Sequence, residues 1–323
     1  MTTTVDIAVI ANAIELACRA PSLHNSQPWR WVIGRTTIEL HAERGRVIRS
    51  ADSSGREALI ACGTALDHFR VAMAAAGWNT TVTTFPDPDR LDHVATVSIT
   101  SRGAITPRMR ERADAILRRR TDRLPLRAPD EPLDPMLPSA SDEAAVVDIL
   151  AADAHAELTQ ASRLTESLRT NDDLYHRELQ WWTAPFRLSE GVPPSALVSE
   201  SERRRVGVNR SFRPSGHLDR RSGTEHDQAD ILVLSTPTDT REDALACGQA
   251  LSRLLLDLTA AGLATCTMTH LTELEAGRDV IRRLTGRDAV PQVLIRVGKA
   301  PTIEDTPAPT PRRSAREVIQ TLW

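Results

Sequence analysis

Lysine is almost missing from this chain: Lys299 is the only one, so 39 of the 40 basic residues are arginine. Against 43 acidic residues they leave a net charge of −3, and no one-signed field draws the chain to nucleic acid or a membrane. The arginine skew reads mainly as the codon usage of a GC-rich genome, with the forked geometry of arginine as a further use. Aromatic residues make up only 3% of the chain, so the close pair Trp29 and Trp31 stands out. The four cysteines, Cys18, Cys62, Cys247 and Cys266, have no metal-knuckle spacing and are too few for a disulfide framework. They are expected as buried thiols. The first apolar stretch lacks a basic leader and is broken by Asp6, Asn12 and Glu15. It reads as neither signal peptide nor membrane span, and the expected location is the cytoplasm. No GxGxxG, Walker loop, HExxH or GxSxG stands in a usable context. Triad hydrolases and metalloenzymes therefore have no support, and no metal site is expected.

What remains is an ordinary globular composition, 41% hydrophobic and 26% charged over 323 residues. That length suits one large domain or two medium ones. Within it lies a repeat. "ACGTALDHFRVAMAAAG" at 61–77 aligns without a gap on "ACGQALSRLLLDLTAAG" at 246–262. Each copy has helical apolar spacing, ends at a glycine suited to a left-handed C-terminus, and precedes a β-rich run. The reading is two copies of one helix–strand unit, in halves 1–106 and 107–323.

Periodicity predicts helices near 5–19, 57–76, 107–120, 155–169, 172–183, 242–261 and 272–285. It predicts a hairpin over 29–43 about Gly34-Arg35, and strands at 93–99, 145–149, 230–235 and 292–298. Residues 125–141 read as a loop, 187–227 as a long excursion without a firm period, and 305–311 as a proline-rich tail. Helices and strands alternate without βαβ regularity, so the fold class is α+β.

Four stretches are candidates for chemistry. "RAPSLHNSQPWRWV" (19–32) is either a proline-stiffened corner or a lip for a flat heteroaromatic ring, with Ser22, His24, Asn25 and Gln27 available to its polar edge. "LRRRTDR" (117–123) is either a solvated helix end or, through Arg119, Arg120, Thr121 and Arg123, a donor set for a phosphate monoester. "PRRSAREV" (311–318) sets Arg312 and Arg313 before a helix start. "GLATCTMTH" (262–270) is either a buried edge strand or a place where backbone approaches a ligand, at Thr267, Met268, Thr269 and His270.

In this order, with "ADSSGREALIACGTALDHFRVA", "PQVLIRVG" and "TPRRS", the stretches resemble the nitroreductase family of flavin mononucleotide (FMN) proteins. The likeness is to its Acg-type branch, dormancy-associated flavoproteins of actinobacteria, and spans essentially the whole chain. It implies a nitroreductase-like fold in which two fused halves mimic the family's homodimer. The phosphate motif occurs only at 119–123 and "PSxxNxQPW" only at 21–29, so one FMN per chain and a monomer are expected. By resemblance, Arg119, Arg120, Thr121, Arg123, Arg312 and Arg313 hold the phosphate. Ser22, Asn25 and Gln27 reach the ribityl chain or pyrimidine edge, and Thr267–His270 present backbone groups near N5 and O4. The last segment departs from the usual pattern, in which a glycine and often an acidic residue replace His270 and Thr269. No catalytic side chain is implied. The expected activity is NAD(P)H-dependent reduction of nitroaromatics or quinones. The alternative is a flavin-sequestering protein whose lid, over 171–227 with Trp181, Trp182 and Phe186, closes the site.

Overall fold

The computed structural model describes residues 5–139, 141, 144–186, 189–216, 218–221, 223–301, 303 and 308–321. In chain order the elements are α1 (Ile7–Ala17), β1 (Trp29–Ile33), β2 (Thr37–Ala42), α2 (Arg56–Ala75), β3 (Trp78–Thr84), β4 (His93–Arg102) and α3 (Pro107–Arg118). There follow β5 (Val146–Ile149), α4 (Ala154–Leu168), α5 (Asp173–Trp182), α6 (Glu200–Arg205), β6 (Asp230–Thr236) and α7 (Arg241–Ala260). The chain continues through β7 (Ala264–Met268), α8 (Glu275–Thr285), β8 (Val290–Gly298), α9 (Ala315–Val318) and β9 (Ile319–Thr321). The α+β class is borne out. Part of the expected tail at 305–311 lies outside the described residues.

Two compact units emerge. The first comprises Met1–Arg118, Thr240–Ala260 and Arg312–Trp323; the second comprises Arg119–Asp239 and Ala261–Pro311. This division does not follow 106/107, because α3 and α7 both belong to the first unit. In that unit a five-stranded sheet runs β3-β4-β2-β1-β9, antiparallel except for the β1–β9 pair. Asp6 caps α1, and the Asp52 carboxylate accepts from the Glu57 and Ala58 amides to start α2. Helix α2 is long and apolar enough to cross a membrane, yet most of its surface is buried within the protein. It meets α7, the second copy of the repeat, through the recurring glycines. A Cβ on Gly63 would lie 2.2 Å from the Leu245 carbonyl oxygen, and one on Gly248 would lie 2.1 Å from that of Ile60. These are the same two positions of each copy, so the repeat crosses itself about a local pseudo-twofold. Beside the crossing Ser252 donates to Asp67 and meets the His68 ring, again at matched repeat positions for Asp67 and Ser252. Gly77 and Gly262 end the two copies at φ 80 and 78, as their spacing predicts.

Strand β3 is absent from the sequence-based map. It is an edge strand whose burial alternates through Trp78, Thr80 and Val82, but threonine stands on both faces, so the sequence shows β-branching without apolar–polar alternation.

The second unit is a four-stranded antiparallel sheet, β5-β6-β8-β7. Its core joins Leu158 of α4, Ile231 and Val233 of β6, Met268 and Leu294 of β7 and β8, and Ile281 of α8. The excursion, 187–227, contains the short helix α6, started by a reciprocal Ser199–Glu202 cap.

Candidate functional site

The segment between α1 and β1 is the most strained among the described residues. Four non-glycine residues among those described have positive φ, and three lie here: His24 (48), Asn25 (58) and Gln27 (50). Each left-handed residue costs about 1–2 kcal/mol, so the surroundings must over-determine the bend. They do. The Ser22 hydroxyl accepts from the Gln27 amide at 2.9 Å, and the Arg46 guanidinium donates to Ser26 O at 3.0 Å. The Arg313 amide donates to Gln27 Oε1 at 2.8 Å. The Arg313 guanidinium spans Gln27 O, Trp29 O, Glu317 O and the Glu43 carboxylate. Trp29 and Trp31 are fully buried beneath the turn, Trp31 packing on Phe69 with ring centres 5.1 Å apart. Gln27 and Arg313 thus help hold the loop in its bend. Arg312 lies beside them, its guanidinium 3.5 Å from Arg19 O. His24 and Asn25 are buried, while Ser22 is half-buried.

In the second unit the arginine motif follows a different logic. Arg119 is buried and Arg120 exposed. Thr121 bridges to Thr265 of β7, and the Asp122 amide donates to Thr265 O at 2.8 Å, so the motif is strapped to a sheet edge. The Asp122 carboxylate is taken by Arg221 of the excursion at 2.7 and 3.0 Å and by the Leu124 amide. Arg123 has no carboxylate within salt-bridge distance among the described residues; its guanidinium lies 5.3 Å from the Phe212 ring centre. Burial lowers its pKa below the ordinary arginine value, the nearby acids only partly opposing this. A desolvated cation lacking an ion-pair partner suits an anionic ligand.

Thr267 and Met268 end β7, an edge strand as the simpler reading had it, and Thr269 O accepts the amides of Thr272 and Glu273. His270 turns inward. Ser162 donates to Asn209 O at 3.0 Å, so its oxygen is left to accept from His270 Nε2 at 2.8 Å. That makes the ring the Nε2–H tautomer, with a bare and buried Nδ1. Burial, helped by the Arg210 charge, pushes the pKa of His270 down to about 3. The imidazole is neutral at any working pH.

The excursion is tied down by polar contacts rather than by its aromatic root. Trp182 is buried, but Trp181 is 54% and Phe186 67% exposed, packed edge-on against each other. The Asp219 carboxylate accepts from Ser199, Ser201 and Arg205. Glu202 accepts the Arg220 and Arg221 amides, and Arg210 pairs with Glu273 and Tyr175. A cavity of about 800 Å³ lies between α5 and 211–216, walled by Trp181, Phe186, Phe212 and Pro214. The sequence reading missed Asp122, Phe212, Arg221 and Ser162. Asp122 lay inside a motif already singled out; the others meet their partners across at least 89 residues of chain and have no local signal.

The sequence model described as the nitroreductase family matches residues 194–299. The Mycobacterium tuberculosis protein named "Putative NAD(P)H nitroreductase acg" is 50% identical over 98% of this chain and 97% of its own length. A second protein of that organism, "Putative NAD(P)H nitroreductase Rv3131", is 35% identical over 98% and 92%. Among solved structures, a nitroreductase with bound FMN from Bacteroides fragilis aligns at TM-score 0.36 and 17% identity, covering 61% of this chain and 95% of that one. Identity of this extent along nearly the full length shows that the chain belongs to the nitroreductase family.

Proposed function

We propose that this protein binds one FMN per chain and uses it as an NAD(P)H-dependent reductase of small electron acceptors, nitroaromatics or quinones, as a monomer. The observation behind this reading is Arg123: a guanidinium in the arginine motif whose pKa burial lowers, with no carboxylate within salt-bridge distance among the described residues. A phosphate monoester satisfies such a group through paired, charge-assisted hydrogen bonds. Arg119, Arg120 and Thr121 add donors on the same short segment. In the first unit Ser22 and Asn25 are offered by a bend whose strain is balanced by Gln27, Arg46 and Arg313. A preorganised hydroxyl and side-chain amide of this kind read the edge of a heteroaromatic ring at little ordering cost on binding.

FMN, when bound, supplies the electron-transfer chemistry; the chain's residues bind, orient and shield. His270 takes part as a neutral ring held by Ser162, and no side chain is needed as a general base.

Replacing Arg123 with alanine tests the reading. Loss of one charge-assisted contact costs about 1.5–3 kcal/mol, roughly 10- to 150-fold in affinity. FMN should weaken by that factor while riboflavin, lacking the phosphate, stays nearly unchanged in fluorescence titration. Equal weakening of both would remove Arg123 from the phosphate.

A second reading, a flavin-sequestering protein with little turnover, is favoured by one observation. The excursion lies on the arginine motif itself, Phe212 over Arg123 and Arg221 on Asp122. A cover pinned there hinders the entry of nicotinamide.

A further inference from the structure

Apart from every residue discussed above, the junction of β2 and β4 in the first unit gathers two histidines and two carboxylates. Glu39 and His41 alternate onto one face of β2. Leu40 pairs with Ala95, but the register then shifts and His41 pairs with His93, skipping Val94. Without this bulge Val94 would stand opposite His41; bulges re-aim side chains in this way. As a result the His41 and His93 rings stack with centroids 4.7 Å apart and planes inclined by 17°. One ligand atom from each of Glu39, His41 and His93 lies within 4.8 Å of the others.

The flanks of His41 are more telling. Its ring is fully buried, with Glu39 Oε2 2.9 Å from Nε2 and Asp92 Oδ2 3.4 Å from Nδ1. A neutral imidazole has a single N–H and can serve only one carboxylate. The other nitrogen would turn its lone pair on an anionic oxygen unless a positive charge stood there. Asp92 stands 3.4 Å from Nδ1, short of a hydrogen bond, on the side from which a carboxylate orients a metal-bound histidine and raises its basicity. That leaves Nε2 directed to the side of Glu39.

We propose that Glu39, His41 and His93 hold one divalent transition-metal ion of the Zn²⁺ type, with Asp92 as the residue that positions His41. Two imidazoles and a carboxylate are a donor set that borderline ions accept, leaving a fourth position open. Arg30, 3.9 Å from Asp92, engages the outer carboxylate. The stacked rings lie in nearly parallel planes, so closing on the ion turns the His93 ring. It exchanges its 3.0 Å contact with the Thr96 hydroxyl for a metal bond.

The test uses the full-length protein as purified, stripped with chelator and dialysed against buffered Zn²⁺, with metal counted by mass spectrometry. Wild type should retain one equivalent more than His93→Asn and Glu39→Gln, each of which should weaken uptake at least tenfold. Asp92→Asn, acting through His41, should weaken it by about 10- to 100-fold. Added Zn²⁺ should raise the melting temperature of wild type and not of His93→Asn, which reads the site without reference to turnover. Equal uptake by wild type and variants, or no uptake by any, overturns the proposal.

Discussion

Gly63→Ala is the sharpest test of how the repeat is packed. The new Cβ would lie 2.2 Å from the Leu245 carbonyl oxygen and 2.9 Å from Gly248 Cα, where ordinary contact begins at 3.4 Å. Both neighbours are backbone, so no side chain can swing aside. The α2–α7 crossing must open by more than an ångström, loosening the packing on either side. Overpacking of a tight core costs about 1–3 kcal/mol, and a backbone clash belongs at the upper end. Alanine's better helix propensity returns about 1 kcal/mol, for a net loss of about 2 kcal/mol. With an m-value of about 3 kcal/mol/M, the urea midpoint followed by far-UV dichroism should fall by about 0.7 M. Gly45→Ala, with open space around its Cβ and an ordinary φ, is the control and should leave the midpoint in place. Gly248→Ala should cost as much as Gly63→Ala by the pseudo-symmetry. The double variant should cost less than the sum, because one separation accommodates both methyl groups. A Gly63→Ala protein as stable as wild type, or stabilised by the helix-propensity gain, would refute the crossing.

His270 and the excursion yield two more tests. The folded-state pKa of His270, about 3, lies below the unfolded value near 6.5. Its contribution is therefore complete above pH 6.5 and declines as pH falls, because only the unfolded chain takes up the proton. At pH 5 the loss is about 2 kcal/mol, at 1.36 kcal/mol per unit. The drop in urea midpoint from pH 7.5 to pH 5 should shrink in His270→Asn, and an unchanged drop would remove His270 from the linkage. Phe212→Ala lifts the excursion's aromatic contact from Arg123 and should speed anaerobic bleaching of bound FMN by NADPH several-fold, with FMN still bound. Bleaching at the wild-type rate would place any barrier outside Phe212.

Local pattern alone was enough for the helices of both repeat copies, the β1–β2 hairpin, the glycine ends at Gly77 and Gly262, the α+β class and the family resemblance. Each rests on residues within one or two turns of each other, where spacing and backbone preference act directly. Strand β3 escaped because an edge strand needs no apolar alternation. The rest was decided in three dimensions, between residues far apart in the chain. Gly63 and Gly248 are recurring small residues in the sequence; only the crossing of α2 and α7 makes their lack of a side chain necessary. That the Arg313 guanidinium braces the strained turn at Gln27, 286 residues away, has no local signal in the sequence. Asp122 gains its partner only when folding brings Arg221 to it across 99 residues. A residue's type and neighbours determine what bonds it is able to make. Which bond it makes depends on the charges and carbonyls that folding brings within about 3 Å, and chain order does not encode that proximity locally.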